Sequence, residues 1–358
     1  MLYHIFYSLH NYFSGFNVFR YITFRTIYAT ITALLICFIF GEAIINKLKM
    51  LKVGQYIREE GPKWHENKEG TPTMGGILII FATVVPALLW MDYNNKFLWI
   101  VIFTTLSFGF VGFIDDYKKL VKKENKGLGA KSKFMLQIIF AFIISIAIYK
   151  FTHVDTVLKV PFFKNFSFDL GIFYIPFAML VIIGSSNAVN LTDGLDGLAI
   201  GPTIIASATF MILAYCSGNY KIAQYLHIPF IKGVGEFTIY AGAMLGAGIG
   251  FLWFNTYPAQ VFMGDVGSLS LGATLGVAAL ITKNELLLII IGGVFVMETL
   301  SVIIQVLSYK TTGKRVFKMA PIHHHFELKG WKEPKIIVRF WIISFLLSLV
   351  AISTLKLR

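Results

Sequence analysis

Apolar residues along this chain fall into ten long runs separated by short polar stretches, near 21–45, 73–91, 97–114, 134–150, 170–189, 199–217, 236–254, 266–282, 285–308 and 336–355. Each approaches the roughly 20 residues that a helix needs to cross a bilayer. In hydrocarbon every backbone N–H and C=O must be satisfied within the segment. These runs are therefore expected to be helices, and they are too long for barrel strands. The pattern predicts an all-α, polytopic membrane protein of about ten transmembrane helices. No repeat, low-complexity tract or long linker divides the chain, so residues 1–358 read as one integral membrane domain. Between the fourth and fifth runs, Lys150 to Leu170 is aromatic and β-prone and suggests a short hairpin, and 218–235 suggests a short surface element.

Composition agrees. Of 358 residues 56% are apolar and only 14% charged, against about 25% charged in ordinary soluble domains. Mean hydropathy is +0.70. A soluble globular protein, a disordered chain and a disulfide scaffold are all excluded on these grounds. Cys37 and Cys216 each lie in or beside an apolar run, which supports neither a disulfide framework nor a cysteine-built metal site. The first twenty residues lack both a basic start and a small-residue cleavage pattern, so a removable signal peptide is not expected.

The net charge of +13 would suggest nucleic acid in a soluble protein, but the basic residues follow a topological pattern. Of 32 Lys and Arg, 21 lie in 46–72, 115–133 and 309–339, all connections after odd-numbered runs. The positive-inside rule then places those connections in the cytoplasm and both termini on the periplasmic or extracellular side.

Acidic residues are scarce, 19 in all, so those at membrane boundaries carry information. Asp115 and Asp116 close the third run, Asp193 and Asp196 follow the fifth within Asn187–Gly197, and Asp265 opens the eighth within Phe262–Ser268. The expected topology puts all five at cytoplasmic helix ends. Clustered carboxylates at one interface suit Mg²⁺, a hard ion that keeps several waters and completes its shell with substrate phosphate. A single aspartate would more often cap a helix; five on one side, flanked by glycines that let backbone approach a ligand, point to a site. The last basic connection holds Pro321-Ile322-His323-His324-His325-Phe326-Glu327. Three consecutive imidazoles cannot share one helical face, so a loop turning one or two inward, for phosphate contact or proton transfer, is expected in preference to a three-histidine zinc site. Glu298 and Gln305 lie in the ninth run downstream of Gly292 and Gly293, which can break or bend that helix.

Taken together, the Asp115-Asp116 pair, the Asn187–Gly197 and Phe262–Ser268 segments and the histidine stretch, in this order, resemble the polyprenyl-phosphate N-acetylhexosamine 1-phosphate transferase superfamily over nearly the whole chain. The histidine stretch and Lys68-Glu69-Gly70-Thr71-Pro72-Thr73-Met74-Gly75-Gly76 are similar to the branch that handles the muramoyl-pentapeptide. The resemblance implies transfer of phospho-N-acetylmuramoyl-pentapeptide from UDP-N-acetylmuramoyl-pentapeptide to undecaprenyl phosphate, with Mg²⁺, in the bacterial cytoplasmic membrane. It implies Asp265 as a metal ligand with Asp115 and Asp116 beside it. Asn187, Asn190, Asp193, Asp196, Asn255, Phe262, Gly264 and Ser268 would lie on the nucleoside side, and Lys68, Thr73, Lys119, Lys131, Gln305, His323, His324 and His325 around the diphosphate and sugar. Nucleic acid is not an expected partner, and a homodimer is left open. Two other readings compete: a transferase using UDP-N-acetylglucosamine, and a secondary transporter, whose acids would lie near span centres instead of span ends.

Overall fold

Helix α10 (Gly264–Ile281) is built from Gly, Ala, Ser and Thr among a few branched residues, and 89% of it is buried. Small residues let helix backbones approach closely in a membrane, where lipid supplies no hydrophobic drive for association. In the computed structural model, which describes residues 1–51, 70–122, 127–152, 154–161 and 166–356, α10 is accordingly the central post. It packs against α4 (Lys96–Lys122), α6 (Tyr174–Thr192) and α3 (Gly76–Trp90). A second buried post, α9 (Phe237–Asn255), holds α2 (Ile22–Met50), α7 (Ile200–Gly218) and α3. Around them α5 (Ala130–Phe151), α12 (Gly293–Thr312) and α14 (Glu333–Ser353) expose most of their surface, in keeping with apolar side chains that face lipid.

Nine helices among the described residues are long and apolar enough to cross a membrane, which makes this an integral membrane protein of mostly helical fold. The second expected run is shorter: α3 has 15 residues and contains Pro86, so at 1.5 Å per residue it spans about 22 Å of a hydrocarbon core near 30 Å. The ninth run is broken. A short helix α11 (Leu288–Ile291) ends at Gly292, from which α12 starts afresh. The segment 150–170 does contain a hairpin, β1 (Val157–Lys159) against β2 (Ser167–Asp169), and 218–235 contains α8 (Tyr220–Leu226), capped by the Asn219 side chain. An additional short helix α1 (Leu2–Ser8) opens the chain, and α13 (Ile322–Glu327) precedes α14.

What positions the site is the backbone between α3 and α10. Phe262 N–H donates to Pro72 O at 2.8 Å, and Gly75 and Gly76 N–H donate to Phe262 O and Met263 O at 2.9 Å. Helix starts leave N–H groups without intrahelical partners, and these bonds settle two such groups while locking 72–76 to 262–263. Both helices therefore begin side by side at the end of the bundle where α4 and α6 finish.

Candidate active site

At that end Asp115 and Asp116, nearly two turns before the last residue of α4, face Asp265 in the first turn of α10. One carboxylate oxygen from each lies within 4.8 Å of the others. Two ammoniums hold the three acids together. Lys119 Nζ lies 2.6 Å from Asp115 Oδ2, 3.4 Å from Asp116 Oδ1 and 3.2 Å from Asp265 Oδ2. Lys133 Nζ, from the start of α5, lies 2.6 Å from Asp265 Oδ2 and 4.0 Å from Asp115 Oδ2. The acids are also fixed by neutral donors: Leu128 N–H to Asp115 Oδ1 (2.9 Å) and Val266 N–H to Asp116 Oδ2 (3.3 Å). Asn190 donates both its amide hydrogens, to Asp265 Oδ1 and to Ser268 Oγ, each at 2.8 Å. Gly264 adopts φ +72°, and a Cβ there would lie 2.6 Å from Asp116 Oδ2 and 2.8 Å from Thr73 Oγ1, so only glycine leaves this approach open.

Asp193 caps the C-terminal end of α6, where it accepts the Gly264 N–H. Burial, together with the Asp265, Asp116 and Asp196 carboxylates, pushes its pKa up to about 8. Asp196 accepts the Ala259 N–H at 3.0 Å, and its own N–H donates to Glu333 Oε1 at 2.9 Å. Asn255 is engaged on both sides: Nδ2 donates to Val261 O (2.8 Å) and Oδ1 accepts from Gly197 N–H (3.0 Å). Thr73 and Phe262 are half-buried on the paired strip between α3 and α10. Further from the acids, Asn187 pairs its amide with Gln137 (2.8 Å). Gln305 pins the 316–317 backbone, donating to Phe317 O (3.0 Å) and accepting from Val316 and Phe317 N–H. Lys131 is exposed on the first turn of α5, and Lys68 lies outside the described residues.

The histidines occupy the short helix α13, where a loop was expected, and the 100° step between successive helical residues sends the three rings in different directions. His323 is buried, with Nδ1 3.1 Å from Glu298 Oε2, and its ring fills the space beside Gly194, where a Cβ would collide with it. His324 Nδ1 is 2.7 Å from Glu327 Oε2. His325 Nδ1 accepts the Lys318 N–H at 3.1 Å, and partial desolvation plus the Lys329 and Lys318 charges lower its pKa.

The geometry brings Asp115, Asp116, Asp193, Asp265, Asn190, Ser268, Thr73 and Lys119 to one pole, with His323 against Gly194 in the adjoining turn. It also supplies a residue that the sequence did not single out, Lys133. The signal was present: the buried face of α5 runs through Gln137, Ala141, Ile144 and Ile148, and one step of four back from Gln137 is residue 133, whereas residue 131 falls off that face. Oxygen donors this close, from three acids held by two cations, form a set that a hard divalent ion accepts.

Residues 98–283 match the model for glycosyl transferase family 4, and residues 68–80 match phospho-N-acetylmuramoyl-pentapeptide-transferase signature 1. Proteins named phospho-N-acetylmuramoyl-pentapeptide-transferase from Syntrophus aciditrophicus and Pelobacter propionicus are each 58% identical to the chain over 100% of both sequences. The relative of that name from Desulfosudis oleivorans is 57% identical, again over the full length. The chain belongs to this family. Glycosyl transferase family 4 covers α4 to the end of α10, which contains Asp115, Asp116, Lys133, Asn190, Asp193 and Asp265, and the transferase signature covers the strip that docks α3 against α10.

Proposed function

We propose that this protein moves phospho-N-acetylmuramoyl-pentapeptide from UDP-N-acetylmuramoyl-pentapeptide to undecaprenyl phosphate, forming lipid I and releasing UMP. The observation that carries the reading is the meeting of Asp115, Asp116 and Asp265 at one membrane-boundary pole of a full-length family member. A lipid phosphate held in the headgroup plane and a soluble nucleotide sugar can both reach such a pole. The helix ends that flank the basic connections meet at the same pole, and the positive-inside rule makes it cytoplasmic, in the bacterial inner membrane.

The reaction is an in-line phosphoryl transfer. An oxygen of the lipid phosphate attacks the phosphorus that carries the sugar, a new P–O bond forms, the P–O bond to UMP breaks, and UMP leaves with the electron pair. Such a displacement requires positioning and charge neutralisation more than covalent participation by the protein. Asp265, Asp115 and Asp116 would hold Mg²⁺, which would supply positive charge to offset the negative charge that develops on the phosphates during transfer. Asp115 takes the proton of the acceptor phosphate. Lys119 and Lys133, already within hydrogen-bond reach of these acids, balance the added phosphate charge. Asn190, Asp193, Asp196, Asn255, Gly264 and Ser268 frame the nucleoside, and the Phe262 ring offers uracil a stacking face. Thr73, Lys119, the histidines of α13 and the 316–317 segment fixed by Gln305 flank the diphosphate and sugar.

The test is transfer by detergent-purified protein with undecaprenyl phosphate and Mg²⁺, comparing UDP-N-acetylmuramoyl-pentapeptide with UDP-N-acetylglucosamine and including an EDTA control. Lipid product from the muramoyl donor alone, abolished by EDTA, is expected. Product from the glucosamine donor alone would move the protein to the other donor, and EDTA-resistant transfer would remove the metal from the reading.

A further inference from the structure

At the pole opposite the aspartates, α4 and α5 diverge around a groove of about 400 Å³. Its walls are Trp99, Ile100 and Phe103 from one helix and Ile143, Ile144, Ala147 and Phe151 from the other. On α4 the lining positions advance by three and four residues, a single helical face, so the groove runs along the helix axes. Phe103 and Phe140 meet edge to face at 6.2 Å near its inner end. From residue 96 to residue 103 the rise is about 10 Å, the depth of the outer part of one leaflet. The one charged side chain in the lining is Lys96, at the mouth. Its ammonium is exposed and pairs with no carboxylate among the described residues. The Trp99 ring, 51% exposed, lies beside it with Nε1 donating to Tyr93 O at 2.9 Å, the posture of an aromatic anchored at the headgroup level.

We infer that this groove is a binding site for an anionic phospholipid of the membrane face opposite the aspartates, its acyl chain between α4 and α5 and its phosphate on Lys96. The chemistry of the lining leaves little else: an apolar slot open to hydrocarbon takes an alkyl chain, and an uncompensated cation at its mouth selects a negative headgroup. The volume is within the usual range for a ligand site. The lipid phosphate that reacts belongs elsewhere, because residues 96 and 115 of α4 are separated by about 29 Å of helix. The site is thus independent of the transfer chemistry, and the failure of either reading leaves the other standing.

The experiment is tryptophan quenching in vesicles of dioleoylphosphatidylcholine that carry equal mole fractions of either dibromo-phosphatidylglycerol or dibromo-phosphatidylcholine. The Trp99 contribution is taken as the difference between the native protein and W99F. The brominated glycerol lipid is expected to quench Trp99 with about fivefold stronger apparent association than the choline lipid, the selectivity of one lysine near an anionic surface. K96Q should abolish that preference while quenching itself remains. A147W, which fills the groove and is read against A147W/W99F, should remove the preference of Trp99 quenching for the glycerol lipid. Equal quenching by the two lipids in the native protein, or a preference that survives K96Q, would overturn the headgroup assignment. A Trp99 that neither lipid quenches would mean that another surface, such as a second copy of the chain, covers the groove.

Discussion

Both poles of this bundle bury charge, but they complete it differently. Away from the aspartates, Arg25 is 2% exposed and meets Glu236 in a two-pronged pair at 2.6 and 2.8 Å, while Trp90 O accepts a further Arg25 N–H and Asp92 N–H donates to Glu236. Nearby, Lys283 is held by Glu285 at 2.8 Å and Asp155 at 3.4 Å, with the Tyr174 ring 4.6 Å beneath it. In each of these knots the cation is matched by a carboxylate of the protein. The other pole gathers Asp115, Asp116, Asp193 and Asp265, with Asp196 behind them, around Lys119 and Lys133. Even with Asp193 holding its proton, the carboxylates of Asp115, Asp116 and Asp265 outnumber the two ammoniums and leave a surplus of negative charge in a largely buried setting, an arrangement that costs stability unless something else supplies cations. Closed pairs clamp helices; an unbalanced cluster is a site. The same burial of charge therefore reads as architecture at one pole and as chemistry at the other.

The sharpest way to break this contrast is D265N, which keeps the shape of the side chain and removes one charge. Turnover in the lipid transfer assay should fall by about a thousandfold, on the order of 4 kcal/mol of transition-state stabilisation, while the unfolding midpoint in EDTA drops modestly because Lys133 and Lys119 lose the carboxylate they pair with. A folded D265N protein with substantial turnover would mean that the cluster is not where the chemistry occurs. R25M makes the opposite test. It strands Glu236 in a buried pair and should cost about 3 kcal/mol of stability, read as a lowered unfolding midpoint, with turnover per folded molecule unchanged. Loss of turnover without loss of stability would show that the far pole is more than a clamp.

Lys133 marks the limit of what the sequence discloses. The all-helical membrane fold, the hairpin at 150–170 and the break at Gly292 follow from runs of 20 apolar residues, a β-prone aromatic stretch and paired glycines, all local signals. The five aspartates were legible because acids are rare here and each lies beside a glycine or at a run's end. Lysine is common in the same connections for reasons of topology, so its presence in 115–133 does not distinguish the residue that turns inward. Only the phase of α5, fixed by its packing against α4 and α6, separates residue 133 from residue 131. The histidines were ambiguous for a related reason. Three rings in a row read as a loop, whereas a short helix after Pro321 satisfies the backbone and still turns His323 alone into the protein. The length of α3 was likewise hidden, because an apolar run does not report that its first residues are non-helical backbone bonded to 262–263.

K133M and K131M convert that distinction into a measurement. With Nζ of Lys133 at 2.6 Å from Asp265, K133M should lower turnover by about a hundredfold, whereas K131M, on the exposed side, should stay within about twofold. Equal losses would place residue 131 at the substrate after all and erase the argument from helix phase.

The smallest effect is a slope. Burial and the neighbouring Asp265, Asp116 and Asp196 carboxylates raise the Asp193 pKa from 3.8 to about 8, so between those values the folded protein holds a proton that the unfolded chain has released. Stability is then greatest below the unfolded pKa and declines as pH rises toward 8. In EDTA, the unfolding midpoint of the purified protein should drop from pH 5 to pH 8, and D193N, neutral at every pH, should show a shallower drop. A slope that persists unchanged in D193N would shift the origin of the pH dependence to other groups and weaken the claim that charge at the aspartate pole is held out of balance.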